Sequence, residues 1–290
     1  MITPIVSFGE IVWDQFENGR TLGGAPLNVA YHLHAAGWPA RIVSRIGRDA
    51  LGRETLNVVT GLGLPVTTIQ QDPDLPTGLV LVSLGRDGEP NFEIAAPAAW
   101  DNIQDGPVLA QMGETPFHLV FGTLAQRSEI SRRSLYRLLK QATLKFYDVN
   151  LRPPHTTPEL VHNSLIAADV VKANHDELIF LADRFLKEKT GSARETGHAL
   201  LNHFNLALLA VTDGARGASL ITKDGYATHG GYKVKVVDPV GSGDAFFAAL
   251  IGGYLEKLPL DECLRRANYQ GAWVAGRQGA TPSYPDVSVE

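Results

Sequence analysis

The sequence predicts an α/β fold with a mostly parallel central sheet. Apolar runs of strand length alternate with longer amphipathic segments, which is the pattern of repeated βαβ units. A glycine-rich turn also stands between an apolar strand end and an apolar helix start, at Val236 to Ala249. The chain of 290 residues, 44% of them hydrophobic, can bury a substantial core, which suits one large domain with an appendage.

Taken in order, Ile5–Phe8, Ala40–Ile46, Phe117–Phe121, Leu144–Val149, Asp169–Lys172 and Leu206–Val211 read as strands. Pro26–Ala36, Ala50–Thr60, Ser128–Gln141, His175–Leu186, Ala245–Glu256 and Leu260–Gly276 read as helices. Pro26 suits a first helical turn, where its missing N–H costs nothing. Two stretches depart from the alternation and read as antiparallel hairpins. One is Thr77–Leu84 with Asn91–Ala95 around Gly85-Arg86-Asp87-Gly88; the other is Ala218–Val237, with turns at Lys223-Asp224-Gly225 and Gly230-Gly231. The first hairpin is placed to form a small lid over the carboxyl edge of the sheet, where open α/β folds bind ligands.

A net charge of -5 with 20% charged residues is neither a basic nucleic-acid footprint nor a disordered acidic composition. Small-molecule partners are expected, with no nucleic acid and no membrane. The single cysteine, Cys263, excludes internal disulfides and thiolate clusters and suits a reducing compartment, the cytoplasm. The opening MITPIVSFGEIVWD has no basic region, and Glu10 and Asp14 interrupt its apolar stretch, so it reads as a first strand rather than a signal peptide. The run Leu206–Val211 falls far short of the roughly 20 apolar residues of a membrane helix. The nine histidines lack zinc-site spacing, and no protein-ligated zinc is expected.

Chemistry is expected at Asp238-Pro239-Val240-Gly241-Ser242-Gly243-Asp244. Gly241 and Gly243 let successive backbone N–H groups converge, and the following helix adds the positive end of its dipole, so the turn suits a phosphate oxyanion. Asp244 would then be placed to accept the proton of an attacking hydroxyl, as a catalytic aspartate does in kinases. The helix terminus is expected to lower its pKa. Alone, the glycines would equally shape a bend and Asp244 would be an ordinary first-turn acid. The chain has no Gly-Lys-Ser/Thr, and a G-x-G-x-x-G reading fails at Phe246, so neither a P-loop nor a dinucleotide fingerprint is present.

Near the other end lies Gly23-Gly24-Ala25-Pro26-Leu27-Asn28-Val29-Ala30, followed by Gly37 and Gly47. With the late Asp-x-x-Gly-Ser-Gly-Asp, this resembles the ribokinase-like (PfkB) carbohydrate kinase family in order and spacing. Glu10 with Asp14, Asp148-Val149-Asn150-Leu151-Arg152-Pro153, Lys172-Ala173-Asn174-His175-Asp176-Glu177 and Val211-Thr212-Asp213-Gly214-Ala215-Arg216-Gly217 also fall where the family places its motifs.

The resemblance implies a three-layer αβα sandwich in one domain over residues 1–290, with a β lid from roughly 11–22 and 75–100. It implies that Asp14, Gly24 and Asn28 bind sugar hydroxyls, that Arg152 approaches the sugar or the phosphate, and that Asp244 is the base beside an anion hole of Gly241, Ser242 and Gly243. Asn174 and Glu177 would order the water shell of Mg²⁺ on the ATP phosphates. Thr212, Gly214 and Gly217 would line the nucleotide, with Asn268 and the loop Gly279–Ser283 near adenine. Asp238, Val240, Gly279 and Ser283 match the groups through which several members hold a monovalent cation such as K⁺. Related lids often pair, which allows a homodimer. Taken singly, Asp14, Asn28, Asn174 and Arg152 are ordinary structural residues; their joint order favours function.

Gly-Gly-Ala-Pro and Asp-Val-Asn-Leu-Arg-Pro are most similar to the fructokinase branch, which implies transfer from ATP to a primary hydroxyl of D-fructose. No Lys or Arg occurs between Arg86 and Arg127, whereas an anionic sugar normally wants a fixed cation. Phe92 and Trp100 are placed to cover the sugar's apolar face or to pack within the lid. Pro239 stands where Thr is frequent in the family, Ser242 where Ala is frequent, and Ile11-Val12-Trp13 is bulkier than usual. The competing readings are a kinase of the same family for ribose, a nucleoside or 2-keto-3-deoxygluconate, and a catalytically idle sugar or nucleotide sensor.

Overall fold

The computed structural model describes residues 2–84, 90–187 and 191–285. Its strands are β1 (Ile5–Phe8), β2 (Val12–Phe16), β3 (Gly19–Gly23), β4 (Ala40–Gly47), β5 (Ile69–Asp72), β6 (Gly78–Leu84), β7 (Pro90–Ile94), β8 (His118–Gly122), β9 (Lys145–Asp148), β10 (Val170–Asn174), β11 (Leu208–Thr212), β12 (Ala218–Ile221) and β13 (Tyr226–His229). Its helices are α1 (Ala25–Ala35), α2 (Ala50–Gly61), α3 (Gly106–Met112), α4 (Glu129–Leu139), α5 (Pro158–Ala167), α6 (His175–Phe185), α7 (Ala193–Phe204), α8 (Ser242–Leu255) and α9 (Leu260–Ala275).

The larger sheet has the order β13-β12-β11-β10-β9-β8-β1-β4-β5. It is parallel from β11 to β5, and only β12 pairs antiparallel, with β11 and with β13. Successive side chains of a strand point to opposite faces, and here both faces are covered. Val6 and Phe8 of β1, with Leu119 and Phe121 of β8, join Leu135, Val161, Leu178 and Leu200 from α4, α5, α6 and α7. Ile5 and Val120 join Val29 of α1, Phe247 and Leu250 of α8 and Leu264 of α9. The result is a three-layer αβα sandwich, and burial on both faces explains why its central strands read as continuous apolar runs.

The smaller sheet, β3-β2-β6-β7, carries the early hairpin. Trp13 of β2 fixes it to the main body by donating from Nε1 to Thr55 Oγ1 of α2 at 2.9 Å. The expected turn Gly85-Arg86-Asp87-Gly88 lies outside the described residues.

Three differences from the sequence-based expectation have physical causes. Edge strands β3 and β5 are too polar to read as apolar runs, as expected of edges, while α5 opens on a proline and α7 contains Gly197. The stretch after Gly230-Gly231 forms no third hairpin strand. Its backbone instead meets the end of α9, where the Val237 and Asp238 N–H groups donate to Ala275 O at 2.9 and 3.2 Å.

The chain leaves β1 for β4 on one side, while β8 and β9 continue the sheet on the other. This change of direction opens a crevice at the carboxyl ends of the strands, where ligands of such sheets bind. Glu10 follows β1, Thr123 follows β8, Asp148 ends β9, Asn174 ends β10 and Thr212 ends β11. Several sequence motifs thus arrive on one edge because consecutive parallel strands end there.

Candidate active site

The N-terminus of α8 occupies the crevice. Asp49, Thr157, Asn174 and Ser192 cap their helices by accepting from backbone N–H groups, but no side chain among the described residues caps α8. Ser242 N donates to Pro239 O at 3.3 Å, and the amides that follow it, with the helix dipole, suit an anion. The helix starts at Ser242 rather than at the expected Ala245, so Ser242, Gly243 and Asp244 form its first turn. Gly241, the N-cap, sits at φ +78, and a Cβ there would lie 2.5 Å from Ala280 Cβ and 2.6 Å from its Cα. Gly241 is thus required twice over. Gly243 has ordinary space, with Lys172 Nζ 3.5 Å from where its Cβ would be.

Asp244 is held from the opposite side of the crevice, where Asn28 Nδ2 of α1 donates to its Oδ2 at 2.8 Å. Burial raises its pKa to about 6, helped by the negative charge of Asp148 and opposed by the Asn28 hydrogen bond, Lys172 and Arg152. This corrects the expected lowering: desolvation and the neighbouring carboxylate outweigh the helix terminus. The consequence favours catalysis, since Asp244 is mostly ionised at neutral pH yet more basic than a surface aspartate.

Behind Asp244 lies a buried ion pair. Lys172 Nζ donates to both carboxylate oxygens of Asp148 at 2.9 and 3.0 Å. Burial opposes the charge on Lys172, but Asp148 and Glu177 hold its pKa above the usual lysine value. On sequence alone neither residue has a role of its own. The available signal was a lysine closing the apolar run Asp169-Val170-Val171-Lys172, since buried lysines are rarely unpaired. Beside the pair, Asn174 and Glu177 form a reciprocal capping box: Glu177 N donates to Asn174 Oδ1, and Asn174 N donates to Glu177 Oε2, each at 2.8 Å. Glu177 Oε1 also accepts from Leu151 N at 2.9 Å.

On the other flank, Asp14 of β2 lies opposite Val80 of β6, and Phe92 of β7 lies opposite Val82. The period of two puts Asp14 and Phe92 on one face of the smaller sheet, whereas Trp100 is buried in the main core. Among the described residues the Asp14 carboxylate accepts no hydrogen bond, and burial, opposed by Arg152, raises its pKa to about 6. Gly24 opens α1 at φ +115, and a Cβ there would lie 2.4 Å from Glu10 O. Glu10 is only 4% exposed, its Oε2 has no partner among the described residues, and burial raises its pKa to about 7 against the pull of Arg152. Arg152 is exposed and donates from Nη1 to Leu151 O at 2.9 Å. Its charge acts on Glu10, Asp14 and Asp244 alike.

The expected nucleotide and cation residues divide. Thr212 ends β11 beside Asn174, and Gly214 follows it at φ +54. Gly217 is required by close packing whatever else it lines, because a Cβ there would lie 1.9 Å from His229 O. Asn268 is buried and gives one amide hydrogen to Leu264 O at 2.9 Å, which leaves its second N–H and its Oδ1 for another partner. Asp238 gathers the proposed cation segment: Oδ1 accepts from Val240 N at 3.0 Å, and Oδ2 accepts from Gly279 N at 3.0 Å and Gln278 Nε2 at 3.2 Å. Ser283 is exposed in the same segment. Among the described residues no cluster of three or more His, Cys, Asp or Glu could hold a metal directly, and no helix is long and apolar enough to cross a membrane.

An uncapped helix end that carries a held carboxylate, at the crevice of an αβα sandwich, is an arrangement suited to phosphoryl transfer. The pfkB family carbohydrate kinase pattern matches residues 2–287, and the chain belongs to that family. It is a sugar kinase that uses an alcohol group as acceptor. It is 30% identical to a probable fructokinase-5 of Arabidopsis thaliana, over 98% of this chain and 95% of that one. An uncharacterized sugar kinase of Pyrococcus horikoshii, solved with ATP, is 26% identical with a TM-score of 0.81, over 96% of this chain and 94% of that one. A fructokinase of Vibrio cholerae, solved with fructose, ADP and potassium, shares the fold at 24% identity and a TM-score of 0.80, over 97% of this chain and 94% of that one.

Proposed function

We propose that this kinase transfers the terminal phosphoryl group of ATP to a primary hydroxyl of D-fructose, giving fructose 6-phosphate and ADP. The observation that carries the reading is Asp244, held by Asn28 at 2.8 Å in the first turn of the uncapped helix α8. The amides of Gly241, Ser242 and Gly243 neutralise the migrating phosphoryl group, and Asp244 takes the proton of the incoming hydroxyl. Asp14, Gly24 and Asn28 orient the sugar, with Phe92 over its apolar face and Arg152 neutralising charge as transfer proceeds.

A neutral acceptor is supported by the absence of Lys and Arg between Arg86 and Arg127. Arg127 itself is charge-paired, donating from Nε and Nη2 to the two Asp101 oxygens at 2.8 Å and lying 3.8 Å over the Trp100 ring, with only Nη1 unpaired among the described residues. Fructose in particular is supported by the relatives' names and the solved fructose complex.

ATP would lie along the carboxyl ends of β10 and β11, by Thr212 and Gly214. Mg²⁺, when bound, neutralises phosphate charge. The residues fit it: among the described residues each carboxylate oxygen of Glu177 accepts one hydrogen bond, which leaves acceptors for metal-bound water. Asp238, Val240, Gly279 and Ser283 would hold K⁺ beside the anion hole. The smaller sheet acts as a lid on one domain, and the cytoplasm is the compartment that suits a sugar kinase with one buried free cysteine.

The test is a panel of acceptors with ATP and Mg²⁺. Fructose should be phosphorylated in preference to ribose, nucleosides, 2-keto-3-deoxygluconate and fructose phosphates. Turnover of ribose or a nucleoside alone would refute the sugar assignment, and binding without turnover of any acceptor would favour the sensor reading.

A further inference from the structure

Helix α1 does more than present Asn28. One turn further on, its side chains grip the segment that backs the anion site. Tyr31 Oη donates to Pro282 O at 2.9 Å. His32 Nε2 lies 2.9 Å from Ala280 O, and Nδ1 lies 2.6 Å from Tyr284 Oη. A carbonyl oxygen can only accept, so Nε2 carries the proton and Nδ1 accepts from the tyrosine. Burial supports the neutral ring by pushing its pKa down to about 4, against the pull of the Ala280 bond. Tyr284 is itself fixed by stacking on Trp273, with ring centroids 4.6 Å apart at 3°, and by accepting from Gln270 Nε2.

The far end of this chain of contacts is the anion site. Ala280 is 4% exposed and fills the space beside Gly241 that a Cβ would need. Its neighbour Gly279 donates to Asp238, which also accepts from Val240 N. The glycine turn is thus clamped between Asp238 on one side and Ala280 on the other, and Ala280 is held at a set height by one histidine. Asn28 and His32 are one helical turn apart, so a single helix fixes both Asp244 and the backing of the amides that Asp244 works beside.

We propose that His32 is a positioning residue of the phosphoryl-transfer site, holding Ala280 against Gly241 so that the amides opening α8 stay aimed at the migrating phosphate. This rests on the reading of α8 as the phosphate site. Displacement of such groups by about 1 Å can cost up to about 100-fold in rate.

The test compares wild type with His32→Leu, which removes both contacts, His32→Asn, which keeps a partner for Tyr284 but is too short for Ala280, and His32→Gln, which restores a donor at the reach of Nε2. Per folded molecule, kcat should fall about tenfold or more in His32→Leu and His32→Asn, on the scale of a displaced catalytic group. Sugar KM should stay within about twofold, and His32→Gln should recover most of the rate. Equal kcat per folded molecule in all variants, or a loss in His32→Gln as large as in His32→Leu, overturns the proposal. If His32→Leu does not fold, His32→Asn against His32→Gln decides between the same two outcomes. Should wild type phosphorylate no acceptor, the kinase reading fails instead. Affinity for a non-hydrolysable ATP analogue then decides: loss in His32→Asn with recovery in His32→Gln supports positioning, and equal affinities refute it.

Discussion

Asn28 Nδ2 donates to Asp244 Oδ2 at 2.8 Å across 216 positions of sequence. The other end of the same amide, Oδ1, is buried without a partner among the described residues. A buried acceptor left open is costly, and a sugar hydroxyl at Oδ1 would satisfy it while lying next to the base. One side chain would thereby aim the base and seat the group it deprotonates.

Replacement of Asp244 by Asn should lower kcat by about 100-fold or more, the scale of lost general-base catalysis. Sugar affinity measured by calorimetry should persist. Unchanged turnover would remove Asp244 from the reaction.

The acid limb of kcat/KM should report Asp244. With its pKa near 6, the carboxyl is protonated below that pH and cannot accept a proton, so the rate falls as pH falls. The Asn28 hydrogen bond favours the ionised form, so Asn28→Ala should move the limb to higher pH as well as raise sugar KM. A limb that stays in place would show that another group titrates.

Gly241 and Gly243 should respond differently to alanine. A Cβ at Gly241 meets Ala280 at 2.5 Å on a backbone at φ +78, so Gly241→Ala should lose both thermal stability and activity. At Gly243 the nearest atom is 3.5 Å away, and Gly243→Ala should melt like wild type. Equal melting temperatures for the two variants would contradict the packing described for Ala280.

Glu10 should destabilise the fold at high pH. Its pKa rises from 4.5 in the free residue to about 7 in the native state, so the native protein binds more protons between those values. The associated stability is complete below pH 4.5 and is lost as pH rises through 7. Glu10→Gln should therefore stabilise the protein at pH 8 by up to about 3 kcal/mol, at about 1.4 kcal/mol per pKa unit. Near pH 4.5 it should change little. Denaturant melts at the two pH values test the difference.

What could be read from the chain depended on how local the physics was. The inner strands were legible because burial on both faces writes a continuous apolar run, and Ile5–Phe8 was placed to the residue. The turn Gly241-Ser242-Gly243-Asp244 at a helix start was legible from its composition, but singling out Asp244 took the joint order of the other motifs. The pKa of Asp244 was not, because the terms that win there, burial and the charge of Asp148, come from the fold and from a residue 96 positions away. Lys172 sat in plain view, but only the folded sheet shows it pairing with Asp148 beneath α8. Likewise only the fold shows that Asn268 gives one amide hydrogen to its own helix, at Leu264 O.

The dependence of α8 on a strip of backbone near residue 280, itself moored to α1, has a consequence for biosynthesis. A ribosome-bound chain acquires Asn28 early and Asp244 late, yet even with both emerged the glycine turn lacks its backstop until Tyr284 has been polymerised. Copies stopped short of that segment would therefore be poor consumers of ATP, and catalytic competence would come only when the segment at 280–284 closes on α1.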